Sequence, residues 1–183
     1  EADAASLRDG LTDQPVTVRS VERKPYTRKP YPPFMTSTLQ QEAGRKLRFS
    51  SSQCMSLAQR LYENGFITYM RTDSTTLSTQ AIAAARALIG REFGPQYLPD
   101  APRQYATKVK NAQEAHEAIR PAGNEFVHPS ALSADMGGDE RAIYDLIWRR
   151  TVACQMKDAK GQRTTMTLGM PTKSSGQAKF TTT

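Results

Sequence analysis

The stretch LYENGFITYMRTDS, Leu61 to Ser74, decides more about this chain than its composition does. A helical pattern stops at Gly65, and the segment Phe66–Arg71 that follows predicts a short strand. Tyr69 and Arg71 are two residues apart in that strand, so their side chains should project from the same face. The stretch therefore predicts a phenol and a guanidinium on one surface.

A phenol beside a guanidinium is suited to attack on a phosphodiester. A free phenol has a pKa of about 10, so ionising it near pH 7.5 costs roughly 3.4 kcal/mol. A fixed cation lowers that cost and also binds the phosphate that is attacked. Tyr69 is thus a candidate nucleophile and Arg71 a candidate phosphate-binding group. The alternatives are a tyrosine packed in the core and a surface arginine paired with Glu63 or Asp73.

The charge of the chain favours a polyanionic partner. Its 183 residues include 25 Lys and Arg against 18 Asp and Glu, which gives a net charge of +7. The pI is near 9.6. Such an excess is typical of proteins that bind nucleic acid, although many soluble domains are mildly basic.

Membrane and metal signals are missing from the sequence. No apolar run approaches the roughly 18 residues needed to cross a bilayer, and no signal peptide opens the chain. Cys54 and Cys154 fall in helical apolar patterns, with no second ligand at metal spacing. They are predicted to be reduced core thiols of a cytosolic protein.

Helices dominate the predicted organisation. A strand is predicted over Pro15–Glu22, and two more from Gln162 onward around a turn at Lys173–Gly176. Helices are predicted over Ser37–Leu47, over a second segment that ends at Gly65, and over Thr79–Phe93, Asn111–Ile119 and Asp139–Met156.

The segment Arg23–Pro33 is predicted to be an extended linker, because it contains prolines at 25, 30, 32 and 33. Basic and tyrosine side chains alternate in it, in a pattern that suits contact with a phosphate backbone; a solvated linker is the alternative. These side chains are Arg23, Lys24, Tyr26, Arg28, Lys29 and Tyr31.

The order helix, short turn, helix, strand between Ser37 and Arg71 is that of a winged-helix module. A non-catalytic winged-helix DNA-binding module would explain this order and the positive charge. It would leave Tyr69 without a role, and an assay for a covalent adduct with DNA separates the two possibilities.

Three blocks of sequence resemble bacterial DNA topoisomerase I, the type IA topoisomerase family of bacteria. They are PPFMTSTLQQEAGRKL (Pro32–Leu47), LYENGFITYMRTDS and QEAHEAIRP (Gln113–Pro121), in that order. LIWRRTVACQM (Leu146–Met156) is similar to the same family. The first three blocks reach across about half of the chain.

The resemblance implies a reaction. Tyr69 would attack one DNA strand to give a 5'-phosphotyrosyl link and a free 3'-hydroxyl. Because this link stores the energy of the phosphodiester, religation would need no ATP. The implied partner is a single-stranded segment of negatively supercoiled DNA, and the implied location is the cytoplasm, at the bacterial nucleoid.

The resemblance also implies the fold. A mainly α chain with short β is expected, with a winged-helix (CAP-like) catalytic domain over residues 34–157. Residues 1–33 would supply a polar segment, a strand of the arch domain and the basic linker. Residues 158–183 would supply further arch-domain strands.

The resemblance points to supporting residues, since the family's histidine that matches His116 lies at the active site. His116 would contact a phosphate or relay a proton. Its neighbours and those of Arg71 complete the set of candidates: Glu114, Arg120, Thr72 and Asp73.

A Mg²⁺ ion is expected in the full-length enzyme, because the family holds it on an Asp-x-Asp-x-Glu cluster of a separate acidic domain. This chain has no such cluster, and DMGGDE (Asp135–Glu140) has the wrong spacing. We therefore expect a central fragment, inactive alone, whose other domains belong to the same polypeptide.

Two other classes of enzyme that use a tyrosine nucleophile fit this sequence poorly. A tyrosine recombinase has a His-x-x-Arg motif before its tyrosine, whereas His116 and Arg120 are four residues apart and follow Tyr69. A rolling-circle nickase has a His-apolar-His metal pair, which this sequence lacks.

Overall fold

The computed structural model describes residues 2–105, 116–133, 136–172 and 176–182. The chain divides into two compact units, Glu1–Arg28 with Ala159–Thr183, and Lys29–Asp158. The first is built on a sheet and the second on helices. None of the described helices is long and apolar enough to span a membrane.

The first unit contains a three-stranded antiparallel sheet in the order β1-β2-β3, preceded by the helix α1 (Ala2–Leu11). Its strands are β1 (Thr17–Arg28), β2 (Ala159–Pro171) and β3 (Gln177–Thr182). The three predicted strands are therefore confirmed. The expectation of short strands is wrong, since β1 has 12 residues and β2 has 13. The predicted turn between β2 and β3 falls on residues 173–175, which lie outside the described residues, and on Gly176.

The linker predicted from Arg23 onward is wrong for Arg23–Arg28, because these residues continue β1. Pro25 lies opposite Gln162 in the ladder. A proline has no N–H to donate, but β1 is an edge strand and has a neighbour on one side only, so the missing donor is tolerated. Pairing with β2 thus overrides the proline pattern.

Residues directly opposite each other in neighbouring strands share a face of the sheet. The register therefore places most basic side chains on one face and most large apolar side chains on the other. One face, here called the basic face, carries Lys24 opposite Arg163 and Arg28 opposite Ala159. Arg19 lies on the same face, since its side chain covers Gly169, and Lys179 is paired with that glycine.

The opposite face, here called the apolar face, carries Val21 opposite Met166 and Leu168 opposite Phe180. The strands together hold seven Lys and Arg against a single acid, Glu22, a net of +6 compared with +7 for the whole chain. The positive charge seen in the composition is therefore concentrated on the sheet.

Within its described residues, the second unit packs four helices around one core. They are α2 (Thr36–Leu47), α3 (Ser51–Glu63), α4 (Thr79–Glu92) and α5 (Gly138–Cys154), with 3₁₀ turns at Pro95–Tyr97 and Pro129–Ala131. Helix α5 contacts each of the other three. The largest fully buried side chains include Phe34, Leu39, Leu61, Met70, Ile89, Ile143, Tyr144 and Ile147.

Local signals set the ends of α3 and α4: the Ser78 cap and the stop at Gly65 were predicted, whereas the Ser50 cap was not. The Ser50 hydroxyl accepts a hydrogen bond from the Gln53 N–H, and the Ser78 hydroxyl accepts one from the Ala81 N–H, both at 3.2 Å. Gly65 follows α3 with a positive φ of 75°. Helix α2 begins one residue earlier than predicted.

Two predicted elements are wrong. The expected strand over Phe66–Arg71 is irregular and contains one isolated bridge, between Ile67 and Pro121. Of the helix expected over Asn111–Ile119, residues 111–115 lie outside the described residues and residues 116–119 are not helical. The Ile119 N–H donates to the Phe34 carbonyl at 2.8 Å, a tertiary bond that replaces a helical one.

The prediction of core thiols is confirmed. Cys54 and Cys154 are free and buried. Burial raises the pKa of Cys54 to about 11 and that of Cys154 to about 12. Both thiols are therefore protonated at neutral pH and are poor nucleophiles.

Candidate active site

The segment that carries Tyr69 alternates between exposed and buried side chains although it forms no ladder. Tyr69, Arg71 and Asp73 are exposed, whereas Met70 and Thr72 are buried. An extended backbone turns successive side chains to opposite sides. Tyr69 and Arg71 therefore both face solvent, as the sequence predicted, and Met70 fixes the segment to the core.

The Tyr69 ring lies between two other rings. It is 36% exposed, so it is not a core tyrosine. The Tyr62 ring at the end of α3 meets it edge-on, with ring centroids 5.3 Å apart. The His116 ring lies 5.7 Å away, tilted by 45°. Tertiary structure thus brings His116 beside Tyr69, in agreement with the grouping that the sequence suggested.

Arg71 lines an open groove of about 640 Å³. The other lining residues are Met35, Thr36, Ser37 and Gln40 around the start of α2, together with Thr72, Asp73 and His116. Among the described residues the Arg71 side chain makes no hydrogen bond or ion pair, so it is not paired there with Glu63 or Asp73. Its guanidinium is available to a ligand.

The start of α2 adds to the positive character of this groove. The first turn of α2 contains no acidic residue. The N-terminus of a helix attracts anions through its free N–H groups and its dipole. Together with Arg71, this end of the helix suits a phosphate, and the Asp73 carboxylate at the rim limits where a phosphate can lie.

Thr68 joins the Tyr69 segment to the His116 segment. Its hydroxyl donates to the Ala118 carbonyl at 2.8 Å and accepts from the Arg120 N–H at 3.0 Å. Its own N–H donates to the Arg120 carbonyl at 2.9 Å. These bonds, on the residue just before Tyr69, explain why His116 lies next to the phenol.

Arg120, a predicted support residue, is turned inward. It is 8% exposed and donates to the Glu117 carboxylate at 2.7 Å and to the carbonyls of Pro121 and Gly123. Burial raises the pKa of Glu117, but hydrogen bonds from Arg120 and from the Ser78 N–H outweigh it, so the pKa is lowered. The pair holds the loop that follows His116.

The remaining predicted residues divide between the groove and the scaffold. Asp73 is exposed on the groove, whereas Thr72 is 7% exposed and its hydroxyl accepts from the Ser74 N–H at 3.0 Å. Glu114 lies outside the described residues. The structure adds Tyr62 and the start of α2, including Thr36. Thr36 lies in the block PPFMTSTLQQEAGRKL, whose resemblance to the family is a signal in the sequence that could have found it.

The described residues do not fit a metal ion. No group of three or more His, Cys, Asp or Glu side chains within the described ranges could hold one. A Mg²⁺ site needs several oxygen ligands in near-octahedral geometry.

Comparison with known proteins gives the family. The sequence pattern of the family described as DNA topoisomerase matches residues 1–183. DNA topoisomerase 1 of Mycobacterium leprae is 64% identical over 90% of this chain, and that of Mycolicibacterium smegmatis is 59% identical over 98% of it. This chain spans 17% and 19% of the lengths of these two relatives.

A solved structure gives the same result. Full-length topoisomerase I from Thermotoga maritima matches 98% of this chain with a TM-score of 0.72 and 36% sequence identity, and the match covers 29% of that protein. Fold and sequence agree over nearly the whole chain. This chain belongs to the bacterial DNA topoisomerase I family.

Proposed function

We propose that this chain carries the strand-cleaving tyrosine of a type IA topoisomerase that relaxes negatively supercoiled DNA without ATP. The observation that supports it best is the placement of Tyr69, exposed beside His116, two residues before a guanidinium that opens onto a groove. The curated relatives are named DNA topoisomerase 1, which makes DNA the substrate expected here.

In the proposed step, the Tyr69 oxygen bonds to phosphorus as the bond between phosphorus and the 3' oxygen breaks. The phenol loses its proton and the leaving 3' oxygen gains one, so the proton count does not change. The product is a 5'-phosphotyrosyl link and a 3'-hydroxyl. Religation is the same step in reverse, and it needs no ATP because the energy stays in the phosphotyrosyl bond.

Arg71 has the role of binding the attacked phosphate and stabilising the charge that grows on its oxygens. A guanidinium suits this because it donates two parallel hydrogen bonds to a phosphate. Removal of one such donor typically costs about 2.7–4 kcal/mol of barrier. The absence of an ion-pair partner for Arg71 among the described residues supports the assignment.

His116 has the role of contacting the phosphate or passing a proton to or from the Tyr69 oxygen. Its exposed ring next to the phenol supports this role. Asp73 lines the same groove and can orient the substrate. Thr72 and Arg120 have a structural role. Thr72 stabilises the backbone next to Arg71, and Arg120 stabilises the loop that follows His116.

The partner proposed is a single-stranded segment of negatively supercoiled DNA. Arg71 would bind one of its phosphates, and the basic face of the sheet offers a further cationic surface. The same basic face also favours the second candidate function, a DNA-binding module without chemistry.

Further domains of the same polypeptide would complete the enzyme. Residues 34–157 would be a winged-helix-like catalytic domain, and the strands of the sheet would belong to an arch domain. Magnesium would bind to an acidic domain elsewhere in the same polypeptide, in the bacterial cytoplasm. This chain alone would then fail to relax supercoiled plasmid.

A covalent-adduct assay tests the proposal. The full-length protein is incubated with an end-labelled single-stranded oligonucleotide, stopped with detergent and analysed by gel. Wild type should give a protein–DNA adduct, and Tyr69→Phe should give none while it still binds DNA. Tyr62→Phe is the matched control, because it also removes one phenol hydroxyl, from the ring that packs against Tyr69. An adduct of normal amount in Tyr69→Phe would overturn the assignment, and DNA binding by a wild type that forms no adduct would favour the non-catalytic module.

A further inference from the structure

A single hydroxyl group holds the backbone on both sides of Arg71. The Thr36 Oγ1 donates to the Met70 carbonyl at 2.7 Å, with the Thr72 carbonyl at 3.0 Å as its alternative acceptor. The same oxygen accepts from the Thr72 N–H at 2.9 Å. The Thr36 N–H also donates to the Thr72 carbonyl at 2.9 Å.

These bonds fix the conformation of Arg71. The Met70 carbonyl belongs to the peptide group before Arg71, and the Thr72 N–H belongs to the peptide group after it. When both peptide planes are tied to one oxygen atom, φ and ψ of Arg71 have little freedom. The direction in which its side chain leaves the backbone is then fixed as well.

This restraint matters because nothing else within the described residues holds the Arg71 side chain. Its guanidinium has no hydrogen-bond or ion-pair partner there. Its placement in the groove therefore depends on the backbone. Thr36 is the first residue of α2, whose buried Leu39 and Ala43 anchor that helix in the core. Thr36 thus connects Arg71 to a rigid element.

We propose that Thr36 is a positioning residue for strand cleavage and that it acts through Arg71. The inference rests on the function proposed above for Tyr69 and Arg71. A displacement of a catalytic group by about 1 Å can lower a rate by about 100-fold. Loss of the Thr36 hydroxyl should therefore slow adduct formation although the Arg71 guanidinium is still present.

The test uses the full-length protein and single-turnover adduct formation at saturating single-stranded oligonucleotide. Thr36→Val keeps the shape of the side chain and loses the hydroxyl; we expect adduct formation to slow by about 10- to 100-fold. Thr36→Ser keeps the hydroxyl and should stay within about 3-fold of wild type. Thr36→Val should also lower the melting temperature, because the Met70 carbonyl and the Thr72 N–H lose their partner. Thr36→Ser should melt close to wild type.

Thr38→Val is the matched control. Thr38 lies two residues after Thr36 in α2, and its hydroxyl accepts from the Met35 N–H at 3.1 Å. The variant therefore weakens the start of the helix without removing a bond to the Arg71 segment. It should form adduct at nearly the wild-type rate. Equal losses in Thr36→Val and Thr38→Val would show that a weakened helix is the cause and would overturn the proposal.

A double-mutant cycle tests whether Thr36 acts through Arg71. In an Arg71→Ala background, Thr36→Val should lower adduct formation by no more than about 2-fold. A full further loss in that background would show that Thr36 acts by another route, and a Thr36→Val rate equal to wild type would refute the proposal directly.

Tyr69→Phe in the same series separates a failure of the proposed function from a failure of the role of Thr36. If wild type forms no adduct, or if Tyr69→Phe keeps it, the proposed function fails whatever Thr36 does. If Tyr69→Phe is inactive and Thr36→Val is normal, the proposed function stands and only the role of Thr36 is lost.

Discussion

The rings of Tyr69 and His116 lie 5.7 Å apart, although they belong to segments that are far apart in the sequence. The contact depends on the Thr68 hydroxyl, which bonds to the backbone of Ala118 and Arg120. An imidazole beside the phenol is therefore supplied by a loop that the chain reaches only after α4.

The contact predicts a role for the imidazole nitrogens. His116→Phe keeps a ring against Tyr69 but removes both nitrogens, so it should slow adduct formation by about 100-fold or more if they move a proton. The matched control is His128→Phe, since His128 also packs a ring edge-on against an aromatic residue, Trp148, at 4.9 Å. Equal rates in His116→Phe and wild type would mean that the histidine only packs.

Arg71 should be sensitive to both charge and shape. Arg71→Ala should lower cleavage by about 100- to 1,000-fold, the usual effect of losing one donor to a developing charge. Arg71→Lys should recover only part of it, because a point charge replaces a planar fork. Arg91→Ala, which removes an exposed arginine paired with Glu92, controls for the loss of one positive charge. Cleavage by Arg71→Ala within about 3-fold of wild type would mean a structural role.

The two faces of the sheet predict a difference in DNA binding at equal net charge. Lys24→Gln with Arg163→Gln removes two cations from the basic face, and Arg23→Gln with Lys160→Gln removes two from the apolar face. If the basic face contacts phosphates, the first pair removes two contacts. The slope of log K against log salt for single-strand binding should then become shallower by about 1.4, since each contact contributes about 0.7. The second pair should leave it nearly unchanged.

The measurement is the affinity of the 183-residue chain for an oligonucleotide from low to high salt. Equal slopes in both double variants would show that overall charge, and not one face, governs binding.

Glu42 predicts an acid-sensitive contribution to stability. Hydrogen bonds from Arg45, opposed by burial and aided by Lys46, lower the pKa of Glu42 from 4.5 to about 2. A lowered pKa in the folded state stabilises above pH 4.5, and this contribution is lost as the pH falls towards 2. Glu42→Gln should therefore be less stable than wild type by about 1 kcal/mol at pH 7, as for a favourable surface ion pair.

The difference between Glu42→Gln and wild type should disappear near pH 2, which denaturant unfolding at several pH values would measure. Glu92→Gln, whose partner Arg91 is exposed, is the control for the loss of a carboxylate. A difference that is the same at pH 7 and near pH 2 would contradict the assignment to the ionised carboxylate.

Local signals in the sequence were sufficient for α2 to α5, but they missed α1 and wrongly predicted a helix over Asn111–Ile119. Serines 50 and 78 accept bonds from the first turns of α3 and α4, and Gly65 follows α3, as their residue types predict. These features depend on neighbours within four residues, so the sequence alone contains the information. The exposure of Tyr69 and Arg71 was predictable for the same reason, since alternation is a property of any extended segment.

Only the tertiary structure decided which backbone groups would pair. The Tyr69 segment forms no strand because Thr36 and the loop after His116 take its backbone hydrogen bonds. Arg23–Arg28 became strand because β2 supplied a partner. The sequence alone determined which reactive side chains are present and how they are spaced along the chain. The neighbours of Tyr69, and the face of the sheet that carries the charge, depended on hydrogen bonds between distant segments, whose partners no local pattern specifies.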